Sequence, residues 1–294
     1  MDIKEYIKSK KPTLGDSSIT TYASILKNLY KRVFNDDEFN FEKFDKNIDK
    51  VLEYLKDITP NRRKTILSAL VVITNNKKYR DLMLDDVKEY NDEIKKQEKT
   101  ETQEENWVDK VEIVELYNKL KTNADILFKK KQLTNNDLQE IQNYIIISLL
   151  SGLYIAPRRS KDYVDFKIKN IDKEKQNYLD KNKLVFNSYK TAKTYGQQVI
   201  EIPVQLKNIL NKWIKINPTE YLLFDSNGNQ LSSVKLNQRL NKLFGNKKVS
   251  VNNLRHSYLT DKYAETIKTN KALENDMKEM GSSVNMATTY IKKD

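Results

Sequence analysis

The 294-residue chain contains no cysteine and a single histidine, His256. The first absence excludes a disulfide framework, thiolate zinc sites and a cysteine nucleophile. The second excludes hydrolases built on a His-rich metal site or a histidine pair. Glycine and proline number only 6 and 5, so few tight turns are available and a mainly helical fold is predicted. Long apolar runs are missing too. The longest, Tyr144 to Leu150, is far too short to span a bilayer, and the opening MDIKEYIKSKK lacks the apolar core of a secretory signal. These features predict a soluble intracellular protein of cytoplasm, nucleus or viral factory, with no membrane association.

What is abundant is charge. Lys and Arg total 53 against 41 Asp and Glu, a net charge of +12. Such a surplus favours a polyanionic partner such as nucleic acid, through phosphate contacts and counterion release. An AT-rich genome would also inflate Lys and Asn, so charge alone does not decide the matter.

Apolar spacing predicts helices over much of the chain. Ile19, Tyr22, Leu26, Leu29, Tyr30 and Val33 follow helical period after the cap Asp16-Ser17-Ser18. Further helices are expected at about 46–58, at 61–74 after Pro60, and at 84–96, making a small helical module. The charged run Glu89 to Glu105 reads as a solvated helix end entering a linker, which places a boundary near Gln103 and domains at 1–102 and 103–294. Beyond it, helices are expected at 107–120 and at 137–150, the latter buried on most sides. Two strands, 183–187 and 197–202, flank a polar turn from Ser188 to Gly196. Helices at 205–216, 232–244, 254–267 and 271–280 complete the second domain.

The residues with chemical potential gather late in the chain. They are Asn252-Asn253-Leu254-Arg255-His256-Ser257-Tyr258-Leu259-Thr260, then Met280-Gly281-Ser282-Ser283, then Tyr290. An arginine on an apolar-patterned helix can grip a phosphate bidentately, and a tyrosine presented one helix later can attack its phosphorus. Phosphoryl transfer without a metal or cofactor is the chemistry this suggests.

With Arg158 and Arg159 after Gly152 and a lysine-bearing hairpin, the order Arg, Lys, Leu-Arg-His, Gly-Ser-Ser, Tyr resembles the tyrosine recombinases. These phage-integrase-type enzymes cut and rejoin DNA, and the resemblance runs from about Trp107 to Lys293. The long stretch between Gly152 and the arginines resembles the branch found in large DNA viruses and eukaryotic mobile elements.

The resemblance implies roles. Arg159, with Asp162 three positions on and Val164, Phe166, Ile168 and Ile171 as an alternating tail, is preferred as the first arginine, with Arg158 the alternative. Lys190 matches the mobile hairpin lysine that protonates the departing 5′ oxygen, and Lys193 is the fallback. Arg255 is the second arginine, Tyr290 the nucleophile. His256, one residue past Arg255, is expected to brace the core. The chain departs from the family at Asn252 and Ser282, where histidine, or another larger residue, is usual. Asn cannot exchange a proton near neutral pH, and Ser reaches less far. The N-terminal module matches the family's core-binding domain, with Arg62, Arg63 and Lys64 as backbone contacts, and Arg158 and Lys193 as further DNA contacts.

The implied partner is double-stranded DNA, bound by a dimer or tetramer. Because only Ile291-Lys292-Lys293-Asp294 follows the tyrosine, exchange of a helix beyond it is not expected. The function implied is site-specific recombination through a 3′-phosphotyrosyl intermediate. A type IB topoisomerase-like activity and a DNA-binding relic that no longer cuts remain the alternatives.

Overall fold

The computed structural model describes residues 2–245 and 247–292, so the expectations for Lys293 and Asp294 lie outside the described residues. The chain divides into two units, Met1–Glu98 and Lys99–Asp294. Both are dominated by helices, and the second adds a small sheet, so the fold is mainly α with a minor β component. No helix among the described residues is long and apolar enough to cross a membrane.

The first unit contains α1 (Ile3–Lys10), α2 (Asp16–Phe34), α3 (Glu42–Lys46), α4 (Ile48–Leu55), α5 (Pro60–Thr74) and α6 (Lys77–Lys95). The apolar stripe of α2 buries Ile19, Leu26, Leu29, Tyr30 and Val33. They pack with Ile7, Phe44, Val51, Leu55, Leu67, Leu70 and Tyr79 in one core. The single helix expected at 46–58 is instead two, because the chain turns at Asn47, whose backbone is not helical. Helix α6 begins seven residues before the expected 84, since the Asn76 side chain accepts from Lys78 N and caps it there.

The second unit opens with α7 (Glu101–Glu105), α8 (Lys110–Leu127) and α9 (Asn135–Leu150). Capping boxes at Thr100/Gln103, Asp109/Glu112 and Thr134/Asp137 start all three. Helix α9 is buried nearly all round, as a helix at the centre of a domain must be. Its Gln142, fully buried, donates to Phe224 O and accepts from Phe224 N, at 2.9 and 2.8 Å.

After α10 (Ser160–Val164) come β1 (Phe166–Lys167), β2 (Asn177–Asp180), β3 (Lys183–Phe186), α11 (Ala192–Tyr195) and β4 (Gln198–Glu201). The sheet order is β1-β2-β3-β4, with β1 parallel to β2 and the other pairs antiparallel. The sequence reading captured β3 and β4 but not the two short strands before them. Helices α12 (Val204–Ile216), α13 (Ser233–Leu243) and α14 (Val251–Glu279) follow, then a 3-10 turn at Val284–Met286 and α15 (Ala287–Tyr290). Trp213 stacks on Phe224 with centroids 5.8 Å apart and donates to Leu222 O, fastening α12 to the core.

The two helices expected at 254–267 and 271–280 are one continuous helix, α14, 29 residues long. No glycine or proline interrupts it, and it ends in a Schellman arrangement. Ser282 N donates to Met277 O, Gly281 N donates to Lys278 O, and Gly281 takes the left-handed φ of 69° that this cap needs.

Ile146→Ala, at a site with no solvent exposure in α9, is expected to lower the unfolding free energy by about 2–5 kcal/mol. Val234→Ala, at an exposed position of α13, should stay within about 0.5 kcal/mol. Urea titration of both variants checks the pair.

Candidate functional site

The stretch leading to Arg158 and Arg159 is docked against α14 by a single close approach. Gly152 holds φ at +82°, and a Cβ there would overlap Cδ2 of the Tyr258 ring. Only glycine fits. Tyr258 lies one turn past Arg255 on α14, so this contact brings the paired arginines toward Arg255.

At the end of that stretch the two arginines diverge. Arg158 Nε donates to Asp162 Oδ2 at 2.8 Å and its Nη1 donates to Gln198 Oε1 at 2.7 Å. Its guanidinium lies 4.1 Å from the Phe186 ring centroid and 5.1 Å from that of Tyr189. The side chain is only 15% exposed. Arg158 is therefore committed within the fold, against the expectation of a DNA contact, because buried Asp162 requires a cation beside it. The Arg159 side chain has neither hydrogen bond nor ion pair among the described residues, and the residue is half-buried at the start of α10.

Arg255 completes the cluster. Burial lowers its pKa, Arg159 and Arg158 lower it further, and Asp162 opposes them. The Asp162 carboxyl shifts up, because burial outweighs the pull of Arg158, Arg159 and Arg255. Its Oδ1 has no hydrogen-bond partner among the described residues. One guanidinium thus pairs with the buried carboxylate and two more lie within its electrostatic reach, leaving a site with surplus positive charge and open side-chain donors on Arg159 and Arg255. Its charge and donors suit an oxyanion such as a phosphate diester.

The hairpin turn adjoins this cluster through two residues that sequence reasoning missed. Gln198 of β4 meets Arg158 directly. Asn177 of β2, with no solvent exposure, donates to Asp162 O at 2.9 Å and Ser188 O at 2.8 Å, and accepts from the backbones of Asn187 and Ser188. It ties α10 to the start of the turn. Lys190, exposed, follows Tyr189, whose hydroxyl donates to Gly196 O at 2.6 Å and closes the turn. Lys193 is exposed in α11. For Gln198 a signal existed: strand period puts it on the same face as Ile200 and Ile202, the inward face of β4.

On α14, Asn252 is exposed and its Nδ2 donates to His256 Nε2 at 3.1 Å. His256 is itself exposed, which overturns the expectation that it braces the core. Leu254 and Ser257 take the buried face instead.

Ser282 and Tyr290 do not join the cluster. Both lie beyond the far end of α14, where Ala287 is buried and Tyr290 is 58% exposed. From Arg255 to Met277, beside this tail, the helix rises roughly 30 Å. Arg159, Arg255, Asn252 and the Lys190 turn form one group, and Ser282 with Tyr290 another.

The N-terminal candidates also separate. Arg63 donates through Nε and Nη2 to Asp86, at 2.6 Å for the shortest contact, and Asp86 is 1% exposed. Lys64 is half-buried over the Tyr90 ring, and burial lowers its pKa. Both serve the α5–α6 packing, so neither is free for the expected DNA contact. Arg62 stays exposed at the mouth of a cleft of about 330 Å³ lined by Ile25, Leu29, Ile58 and Ile66, with Arg32 across it. No group of three His, Asp or Glu side chains among the described residues gathers to hold a metal.

No protein-family model matches the sequence, and no curated protein matches it. Among solved structures, the chain is similar to the crystal structure of XerA recombinase. The identity is 14%, coverage is 88% of this chain and 82% of that one, and the TM-score is 0.36.

The Arg158–Asp162 pair carries a pH signature. The raised folded pKa of Asp162 means the folded state holds a proton above the unfolded pKa of about 3.9, so stability falls as pH rises through that window. Arg158→Met removes the chief opposing charge and pushes this pKa higher still. Its cost in stability is expected to be larger at pH 7.5 than at pH 4.5, as urea titrations at the two pH values would read.

Proposed function

We propose that the chain is a DNA strand transferase of the tyrosine-recombinase kind, acting on double-stranded DNA through a 3′-phosphotyrosyl intermediate. The observation that carries the reading is the convergence of Arg159 and Arg255, from segments about 100 residues apart, beside the hairpin turn that bears Lys190. Two fixed guanidiniums can hold the nonbridging oxygens of one phosphate and stabilise the negative charge of a pentavalent transition state. A flexible ammonium on the turn can reach the departing oxygen.

In this mechanism the Tyr290 oxygen bonds to phosphorus as the bond from phosphorus to the 5′ oxygen breaks. Lys190 gives its proton to that oxygen, and the phenol's proton leaves to water. The phosphotyrosyl bond retains the energy of the broken linkage, so rejoining needs no ATP. Arg158 acts through Arg159 and the hairpin, holding both in place.

The separation of Tyr290 from the arginines sets a further requirement. Tyr290 reaches a phosphate held by Arg159 and Arg255 either from a second copy of the chain on the same DNA or after α14 bends near Ile267. The exposure of Tyr290, Val284, Met286 and Ile291 supports a tail that seats elsewhere during the reaction. The same separation, with Asn252 and Ser282 in place of the usual residues, favours a second reading: a protein that binds DNA without cutting it.

A nicked duplex carrying the sequence that flanks the gene should trap a covalent adduct that Tyr290→Phe abolishes. Arg159→Ala or Arg255→Ala should slow it by about 10²–10³-fold. Mixing Tyr290→Phe with Arg255→Ala protein restores the adduct if the tyrosine is delivered by a second copy, and leaves it absent if α14 bends within one chain. Retarded DNA with no adduct from the unaltered protein would establish the non-cutting reading.

A further inference from the structure

Asn252, Arg255 and His256 share one sector of α14. With 100° per residue, Asn252 falls about 60° and His256 about 100° round the helix from Arg255, and the three span roughly 6 Å of its axis. Asn252 lies between the other two in azimuth and faces His256 one turn on. Its amide nitrogen is a donor only, so the 3.1 Å contact makes His256 Nε2 the acceptor. The ring proton of the neutral imidazole then sits on Nδ1. No other hydrogen bond or ion pair engages the His256 side chain among the described residues, and the residue is exposed. The free Nδ1–H is a donor beside a guanidinium that itself has donors to spare.

We propose that Asn252 and His256 form a phosphate-binding pair: Asn252 fixes the tautomer, and His256 Nδ1–H donates to a nonbridging oxygen of the DNA phosphate gripped by Arg255. The pair assigns a use to the Asn that stands where the family has a proton-exchanging side chain. The imidazole that follows Arg255 stands one helical turn on, and the amide orients it. This inference rests on the reading of the arginine cluster as a DNA phosphate site. It does not require that the DNA be cut. A donor of this kind, acting through Nδ1–H of an uncharged ring, contributes a hydrogen bond and not a released counterion. Losing it therefore weakens binding without changing the salt dependence.

His256 is the sole histidine of the chain, so every imidazole signal in a nitrogen-labelled sample belongs to it. In the free full-length protein at pH 7.5, the Nδ1–H tautomer is expected, and Asn252→Ala should erase that preference. Adding a mixed-sequence duplex should shift the Nδ1 and ring-carbon signals. His256→Asn should weaken binding to that duplex about tenfold with an unchanged salt slope. Arg255→Ala, in contrast, should lower the slope by about 0.9. The exchange variant Asn252→His/His256→Asn, which returns an imidazole and an amide to the same face, should recover most of the lost affinity. Signals unmoved by saturating duplex would overturn the proposal whether or not the protein cuts. An adduct that depends on Tyr290, alongside an unmoved imidazole, would sink the pair and spare the transferase reading. A shifted imidazole with no adduct would do the reverse.

Discussion

The carboxylate of Asp162 is the constraint on which the rest of the second unit's surface chemistry depends. It is held 1% exposed, and a carboxylate so far from water is tolerated only beside cations. Arg158 supplies the hydrogen-bonded one, while Arg159 and Arg255 supply weaker, longer-range attraction. The converse holds with equal force. Three guanidiniums drawn together would repel one another and disperse into solvent, and the buried carboxylate gives them a reason to stay. The cluster is therefore a balance in which one anion is deliberately outnumbered, and the surplus is what a phosphate would neutralise.

Two polar side chains convert that balance into fixed geometry. Asn177 commits both donors and its carbonyl to backbone groups, one bond to α10 and three to the start of the hairpin turn, so a single buried side chain links the turn bearing Lys190 to the arginine-bearing segment. Gly152 does the same for α14 by steric fit, since any side chain there would displace Tyr258. Neither residue touches a prospective ligand. Both determine where the ligand-facing groups stand, which is the usual division between a site and the shell that supports it.

Much of this was legible in the sequence, for reasons that differ by element. The long amphipathic helices announced themselves by period and caps, and α9 by its continuous apolar run. The strands flanking Lys190 showed through their β-branched content. The division of labour between Arg158 and Arg159 was not legible, because adjacent residues differ only in which way the backbone turns them. Asn177 was invisible for a related reason: a polar residue in a four-residue strand gives no hint that it is fully buried. His256 is exposed where a core position was expected, because a residue about 100° round the helix from Arg255 can fall on either face and only the rotation of α14 decides. The single helix from Val251 to Glu279 runs through the gap expected between Ile267 and Lys271, where Thr269 and Asn270 are weak helix formers. Modest helix propensity yields when no glycine or proline offers an alternative path.

That uninterrupted helix has an effect reaching past its own stability. On the strand-transfer reading proposed above, a phenol carried at one end of that helix, with the arginine pair rooted at the other, does not reach the linkage its own subunit would hold unless the helix bends. An isolated copy resting on a chromosome would hold the backbone in its grip yet be unable to nick it. Breakage would wait for company or for the rod to buckle, an arrangement that works as a safety catch for any enzyme whose stray cuts endanger the genome that encodes it.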